Sequence, residues 1–390
     1  MKLGILLTTL FVIASAYEEP KCNKDPANMW LDIVIVVDNS KNMTNDRLAL
    51  VRATIVSLFG FGTRIGPDHT DPRNTRIGLV KYNNVGYGPS DYHLNKIINS
   101  FSDLYTTVNA ELATVDGSTS SSLALGLSLA GSILTWGRNG TYRANYKQVV
   151  IVFSASSLEN GSIDPVTIAG QLKAKDIKII VVDVKGDPTR GNLFGVASPD
   201  MYINYDTQVM TKLIDAVMSA NCHCKTGWEQ YKNDANCHCK TGWEQYKNDG
   251  ICLGMSALPT NWATAKDYCP YSIKNGYLAT EFSKEKHDFI NGLTIKKRQV
   301  ASNYFIGLSK VNGVWGWEQP TGKPRIPLDN FTLWNPGYPA TTASNTSVAN
   351  VIGSNGKVGW KNINPAIIPA TESMHYMCET YTCDSENYCA

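Results

Sequence analysis

Neither sign of charge is in excess in this chain: 36 Lys and Arg stand against 34 Asp and Glu, a formal net charge of +2. Proteins that hold nucleic acid or anionic membranes carry a basic surplus, so neither is an expected partner. Long apolar runs are missing beyond the extreme N-terminus. No transmembrane helix and no membrane anchor of the GPI type is therefore expected. Gly (31) and Pro (17) stand at ordinary levels, which excludes collagen-like and wholly disordered chains. Cysteine is absent between Cys22 and Cys222, yet nine of the ten cysteines fall from Cys222 to Cys389. With 390 residues, 43% of them hydrophobic, the chain can bury two or three cores. The cysteine distribution predicts a cysteine-free domain followed by a disulfide-rich one.

The chain opens with Met1-Lys2, an apolar stretch from Leu3 to Ile13, and Ala14-Ser15-Ala16. A positive start, a short apolar segment and a small-residue site predict a signal peptide over residues 1–16, hence secretion to the extracellular space. That compartment makes disulfides the default state of the cysteines. Five sequons suit the same route, at Asn42, Asn139, Asn160, Asn330 and Asn345. The last four sit in polar, loop-like contexts.

Leu31 to Val37 is a near-continuous apolar run rich in β-branched residues, the habit of strands buried on both faces. Thr75–Tyr82, Gln148–Phe153 and Ile177–Val184 read as three more strands. Between them Leu48, Val51, Ile55 and Leu58 recur at helical spacing, as do Leu123, Leu127, Ala130 and Leu134. Met210, Leu213, Ile214 and Val217 close the pattern. Alternation of this kind predicts a doubly wound, Rossmann-like α/β domain over residues 30–218, with its ligand site at the carboxyl ends of the strands.

The loop after the first strand reads Asp38-Asn39-Ser40-Lys41-Asn42, and Gly117-Ser118-Thr119 precedes a helix. With Arg76–Tyr82, Ile177–Val184 and Val196-Ala197-Ser198-Pro199, these segments resemble the von Willebrand factor type A family. The resemblance implies a metal-ion-dependent adhesion site at Asp38, Ser40, Asn42 and Thr119. The site is degenerate: the third loop position is Asn42 rather than Ser, and the later Asp position is Ala155. A hard cation depends on carboxylate oxygens. The expectation is that no cofactor is required, with at most weak Mg²⁺ at this site.

Residues 220–234 recur without a change at 235–249; the repeat begins in a linker placed at 219–238 and runs into the segment that follows it. Two copies are too few for a solenoid. The duplicated Cys-His-Cys triplets contain zinc-type ligands, but an oxidising compartment favours disulfides.

From Cys239 the landmarks are Gly242-Trp243, Cys252, Trp262, Cys269, Phe305-Ile306-Gly307-Leu308, Trp315-Gly316-Trp317-Glu318, Trp334-Asn335-Pro336-Gly337, Gly359-Trp360 and Cys378-Glu379. In this order they resemble a C-type lectin-like domain, an α+β fold, over residues 239–380, with a Cys-containing tail at 381–390. The resemblance implies a calcium site built on two motifs. Here Tyr338-Pro339-Ala340 stands at the first and Trp360-Lys361-Asn362 at the second. The acidic ligand of each is missing, and Lys361 brings positive charge. The family's inner disulfide is also missing. The expected bridges are Cys22–Cys222, Cys224–Cys237, Cys239–Cys252, Cys269–Cys378 and Cys383–Cys389, although spacing alone does not fix connectivity.

A signal peptide, a type A domain and a lectin-like domain, in that order, look like secreted nematode C-type lectin-like proteins. Those proteins are associated with extracellular recognition and innate immunity. The expected function is non-enzymatic recognition or adhesion, with an extracellular glycan or protein as partner and no standard lectin calcium site. A structural role in extracellular matrix or cuticle is the alternative. None of the six histidines lies in a nucleophile or metal-hydrolase motif.

Overall fold

The computed structural model describes residues 22–382, apart from 67–72, 84–85, 88–93, 95, 139–142, 144–145, 156–162, 186–190, 224–228, 231–249, 257, 299–302 and 367–373. The expected signal peptide, the second repeat copy and residues 383–390 of the C-terminal tail lie outside the described residues. Two compact units emerge, one on Lys21–Cys252 and one on Leu253–Thr380.

The first unit alternates strand and helix. Its elements are β1 (Leu31–Asp38), α1 (Asn45–Phe59), β2 (Arg76–Tyr82), β3 (Gly86–Tyr87), α2 (Phe101–Glu111), α3 (Leu123–Arg138), β4 (Lys147–Ser154), α4 (Pro165–Ala174), β5 (Lys178–Asp183), α5 (Gly191–Val196), β6 (Tyr202–Asn204) and α6 (Val209–Asn221). The sheet order is β3-β2-β1-β4-β5-β6, parallel throughout except for the edge strand β3.

Strand periodicity explains why β1 is apolar on both faces. Ile33, Ile35 and Val37 pack with Leu48, Val51 and Ile55 of α1 and Leu213 and Val217 of α6. Val34 and Val36 face the other way, onto Leu127 and Leu134 of α3 and Leu172 of α4. The order reverses between β1 and β4, so the crevice at their carboxyl ends is the topological switch point. Cys22 is bonded to Cys222, at the end of α6.

One charge interrupts the apolar run of β1. Asp32, fully buried, takes a bidentate pair of bonds from Arg76 of β2 at 2.8 and 2.6 Å and a third from Arg143 Nε at 2.9 Å. Arg143 also holds Asn74 Oδ1 at 2.5 Å, and Arg76 caps the Gly137 carbonyl at 2.9 Å. A charge at this depth is tolerable only because its oxygens are paired.

β7 (Glu229–Gln230) precedes the second unit, whose elements are β8 (Ile251–Met255), α7 (Trp262–Ser272), β9 (Tyr277–Leu278), α8 (Lys284–Arg298), β10 (Tyr304–Val311), β11 (Val314–Trp317), β12 (Ile326–Pro327), β13 (Ser347–Ile352), β14 (Val358–Ile363) and β15 (His375–Tyr381). β12-β11-β10-β15-β8 run side by side; β13 pairs with β10 and β14, and β9 with β15. Asn261 starts α7 by accepting the Thr264 amide at 2.8 Å. The Ile-Gly-Leu landmark has a steric reason. A Cβ on Gly307 would meet the Leu278 carbonyl oxygen at 2.4 Å, where β10 passes close to β9.

Trp262, Trp317 and Trp360 are buried. The rings of Trp317 and Trp334 lie 5.5 and 5.6 Å from that of Trp360, both edge-on, the geometry that aromatic quadrupoles favour. Cys269 of α7 is bonded to Cys378 of β15.

Candidate functional site

In the first unit the C-terminal ends of β1 and β4 bring Asp38 and Ala155 together. Asp38 is fully buried. Its Oδ1 accepts the Ser40 amide at 2.9 Å and its Oδ2 the Ala155 amide at 3.3 Å. Burial pushes the Asp38 carboxyl above its ordinary range. The amide and nearby hydroxyl of Ser40 and the amide of Ala155 oppose the shift, and the charge of Asp116 adds to it. Ser40 is fully buried with its hydroxyl beside the Asp38 carboxylate, and the Oδ1 of Asn39 accepts no hydrogen bond. Asn42 is half-buried, and its carbonyl accepts from Arg47 at 3.2 Å. Thr44, third residue of that sequon, caps α1 by accepting the Arg47 amide at 3.4 Å, and Met43 between them is buried. Thr119 is exposed on the loop before α3.

Three loops are knitted together around Asp38. The Asn39 amide donates to Tyr82 O at 2.8 Å, the Lys41 amide to Ser118 O at 2.7 Å, and the Asp116 amide to Asn39 O at 3.1 Å. The carboxylate of Asp116 accepts the Ser118 amide at 2.9 Å and the side-chain amide of Asn83. Asp116 is not among the site residues expected from the sequence. Its one signal in the sequence was an acid directly before Gly117, and only the meeting of the loops gives that signal meaning.

Among the described residues no group of three or more His, Cys, Asp or Glu converges as a metal cage. The donors at this crevice are oxygens: the buried carboxylate of Asp38 and the hydroxyl of Ser40 beside it. Donors of this kind fit a hard divalent cation that keeps several of its waters.

In the second unit the two lectin-type motifs meet through Asn362. This buried residue of β14 accepts the Ala340 amide on Oδ1 at 2.7 Å. It donates from Nδ2 to Ala340 O at 2.9 Å and to Asn345 O at 3.1 Å. Both donors of the amide and its oxygen are thus engaged in pinning the loop that follows Tyr338. The Lys361 ammonium sits 5.5 Å from the ring centre of the half-buried Tyr338. The Tyr338–Pro339 peptide is cis. Asn330 is exposed and Asn345 half-buried, whereas Asn139 and Asn160 lie outside the described residues.

Of the cysteines, Cys22–Cys222 and Cys269–Cys378 are bonded pairs, and Cys252 is also in a disulfide. Cys224, Cys237, Cys239, Cys383 and Cys389 lie outside the described residues.

A buried polar network beneath these loops was not foreseen. Glu281 Oε2 accepts Trp360 Nε1–H at 2.7 Å and His287 Nδ1–H at 2.9 Å, while Oε1 accepts from Asn350 at 2.8 Å. Beside it Lys286, fully buried, pairs with Glu379 at 3.1 Å and donates to Thr280 at 2.9 Å. Glu379 also accepts from Tyr277 OH at 2.6 Å. These groups are paired with one another and serve the fold.

Residues 32–216 match the von Willebrand factor type A domain model and residues 258–388 the lectin C-type domain model. Similarity extends to C-type lectin domain-containing protein 160 of Caenorhabditis elegans, 25% identical over 388 residues. That alignment takes in 95% of this chain and 56% of the relative, so the chain spans little more than half the length of the curated relative it matches. Among solved structures, proximal thread matrix protein 1 of the mussel byssus is similar at 16% identity and a TM-score of 0.43, over 53% of this chain and 49% of that one. The carbohydrate-recognition domain of mouse scavenger receptor C-type lectin is similar at 18% identity and a TM-score of 0.27, over 37% and 96%. The chain carries a von Willebrand factor type A domain over residues 32–216, followed by a C-type lectin domain over residues 258–388.

Proposed function

We propose that this chain is a secreted recognition or adhesion protein of extracellular surfaces. In this reading its lectin-type unit binds a carbohydrate or protein ligand with no calcium ion at the standard position. The observation that carries the reading is the pairing of Asn362 with Ala340 and Asn345. Calcium needs about six to eight oxygen ligands, several of them anionic. The side chain at this place is neutral and already committed to the loop's own backbone. Lys361 adds a positive charge beside it. The basic N-terminal leader and the disulfides support an extracellular destination, and defence against microbes is a role consistent with it. No helix among the described residues is long and apolar enough to cross a membrane. Families of both domain types are typically non-enzymatic, and the reading includes no catalytic step. A cation at the type A crevice would supply positive charge to an acidic oxygen of a ligand, with Asp38 and Ser40 among its holders.

A binding screen of the secreted full-length chain against bacterial and host glycans tests this. The arms contain Ca²⁺, Mg²⁺, or the calcium-selective chelator EGTA with Mg²⁺ present. Binding unchanged by EGTA is the expected result. Binding that disappears in EGTA and returns with added Ca²⁺ would overturn the reading.

A further inference from the structure

We infer that the disulfide of Cys252 runs to Cys224, in the first copy of the repeated segment, and that the second copy supplies no bridge the fold needs. This assignment replaces the bridges Cys224–Cys237 and Cys239–Cys252 expected from the sequence. It goes beyond the recognition role and does not depend on how the lectin-type unit binds its ligand.

Cys252 lies at the start of β8 and is disulfide-bonded. Cys22 with Cys222, and Cys269 with Cys378, account for the other cysteines among the described residues. The partner of Cys252 is therefore one of Cys224, Cys237, Cys239, Cys383 and Cys389. Two observations select the first of these. The Cys252 sulfur lies 4.0 Å from the carbonyl oxygen of His223, and the peptide bond of that carbonyl leads straight into Cys224. Bridged cysteines need Cα atoms about 4.4–6.8 Å apart, so the residue next to His223 is within reach. Separately, the strand that pairs with β8 is β7, Glu229–Gln230, which belongs to the first copy. β8 begins at Ile251 and Cys252, inside the first unit. A hairpin closed at Cys239 would set the equivalent residues of the second copy, Glu244 and Gln245, against β8 instead.

The two copies are identical in sequence, so place in the chain decides between them. The first follows α6 directly. Cys222 is bonded to Cys22, the Asn221 side chain accepts the Trp30 amide at 3.0 Å, and the His223 ring stands 5.1 Å from that of the buried Trp30. These contacts fix residues 221–223 and deliver the next residue to Cys252. Cys239 follows fifteen residues later and gains nothing from this anchor. Loop size does not favour it either, because closure cost grows only slowly with loop length. Access then governs which sulfurs exchange.

The test is a peptide map of the secreted full-length chain, digested with trypsin without reduction, in mildly acidic buffer and with free thiols blocked. Cleavage after Lys separates the two triplets although their sequences are the same. Cys222 and Cys224 fall in peptide 213–225, Cys237 and Cys239 in 233–240, and Cys252 in 248–266. The expected product is one species of three peptides, in which 213–225 is joined both to 248–266 and to 22–24. Peptide 248–266 joined to 233–240, or to a peptide with Cys383 or Cys389, overturns the assignment. A second protein lacks residues 235–249, so that Asp234 is followed by Gly250 as Asp249 is in the full chain. It is expected to be secreted at the wild-type level, to unfold at the wild-type midpoint and to yield the same three-peptide species. Loss of secretion or a lowered midpoint overturns the claim that the fold does not need the second copy.

Discussion

Glu281 and Trp360 are joined by a buried hydrogen bond of 2.7 Å between residues 79 positions apart, linking the segment before α8 to β14. The same carboxylate takes His287 and Asn350, and Tyr304 OH lies 3.5 Å from it. A fully buried anion is thus surrounded by donors from four elements. Removing it strands several N–H groups in a dry interior at once, whereas removing one donor leaves the rest in place.

Replacing Glu281 by Leu is therefore expected to destabilise the lectin-type unit by about 3–5 kcal/mol, the range for breaking a buried charged network. Urea unfolding read by tryptophan fluorescence measures it, with the transitions of the two units separated. A shift of the second unit's midpoint no larger than that of an ordinary surface substitution would show the network to be dispensable.

The same network predicts a pH dependence. Burial alone would lower the His287 pKa, but the Glu281 hydrogen bond and charge outweigh it, with Asp288 adding and Lys284 subtracting. The net shift is upward from 6.5. A raised folded pKa means that the protonated pair contributes fully below the unfolded value of about 6.5. The contribution is lost as pH rises through the higher folded value. The unit's unfolding midpoint should fall on that alkaline side, and His287→Gln should flatten this part of the profile. An NMR titration placing His287 below 6.5 would contradict the sign.

In the type A unit the fully buried Asp32 pairs with Arg76 at 2.6 Å and with Arg143 at 2.9 Å. Arg76→Met is expected to cost about 3–5 kcal/mol, since it breaks a buried pair from one side. Adding Asp32→Leu should return part of that loss, because the stranded carboxylate goes with it. Unfolding free energies of the two single variants and the double variant form the cycle that checks this. Strict additivity would show that the pair is not coupled.

At Asn362 the change to Asp tests what the residue does. An acid there loses the Nδ2 donor and sets a carboxylate oxygen against the carbonyls of Ala340 and Asn345. The variant is expected to lose about 1–3 kcal/mol and to gain no calcium affinity. Unfolding midpoints with and without Ca²⁺ provide the measurement. Calcium-dependent stabilisation of the variant would show that the loop retains the rest of a cation site.

Much of the architecture was legible along the chain. Leu31–Val37 and Ile177–Val184 are apolar on both faces, and only a strand between two helical layers uses such a run. The edge strands β3 and β6 are too short for any period to register, and α2 and α4 carry weaker patterns than the strands around them. In the second unit, Trp262, Trp317, Trp360, Cys269 and Cys378 stand in order, and all are buried. Loss of the acid at Ala155 was equally legible, because it concerns a residue's type at a known place in a strand's loop. Asp116 was not, because nothing in the residues around it says that its loop lies against Asn39.

The division follows from what each force depends on. Strand and helix identity, the sequons and the missing acids at Ala340 and Lys361 are properties of residue type and local spacing, and the chain alone determined them. Which side chains gather around Glu281 and whether Asn362 faces solvent or a backbone were decided only in three dimensions. Charges and hydrogen bonds act over a few ångströms of space, and the fold makes residues 39 and 116, or 281 and 360, adjacent whatever their separation in sequence.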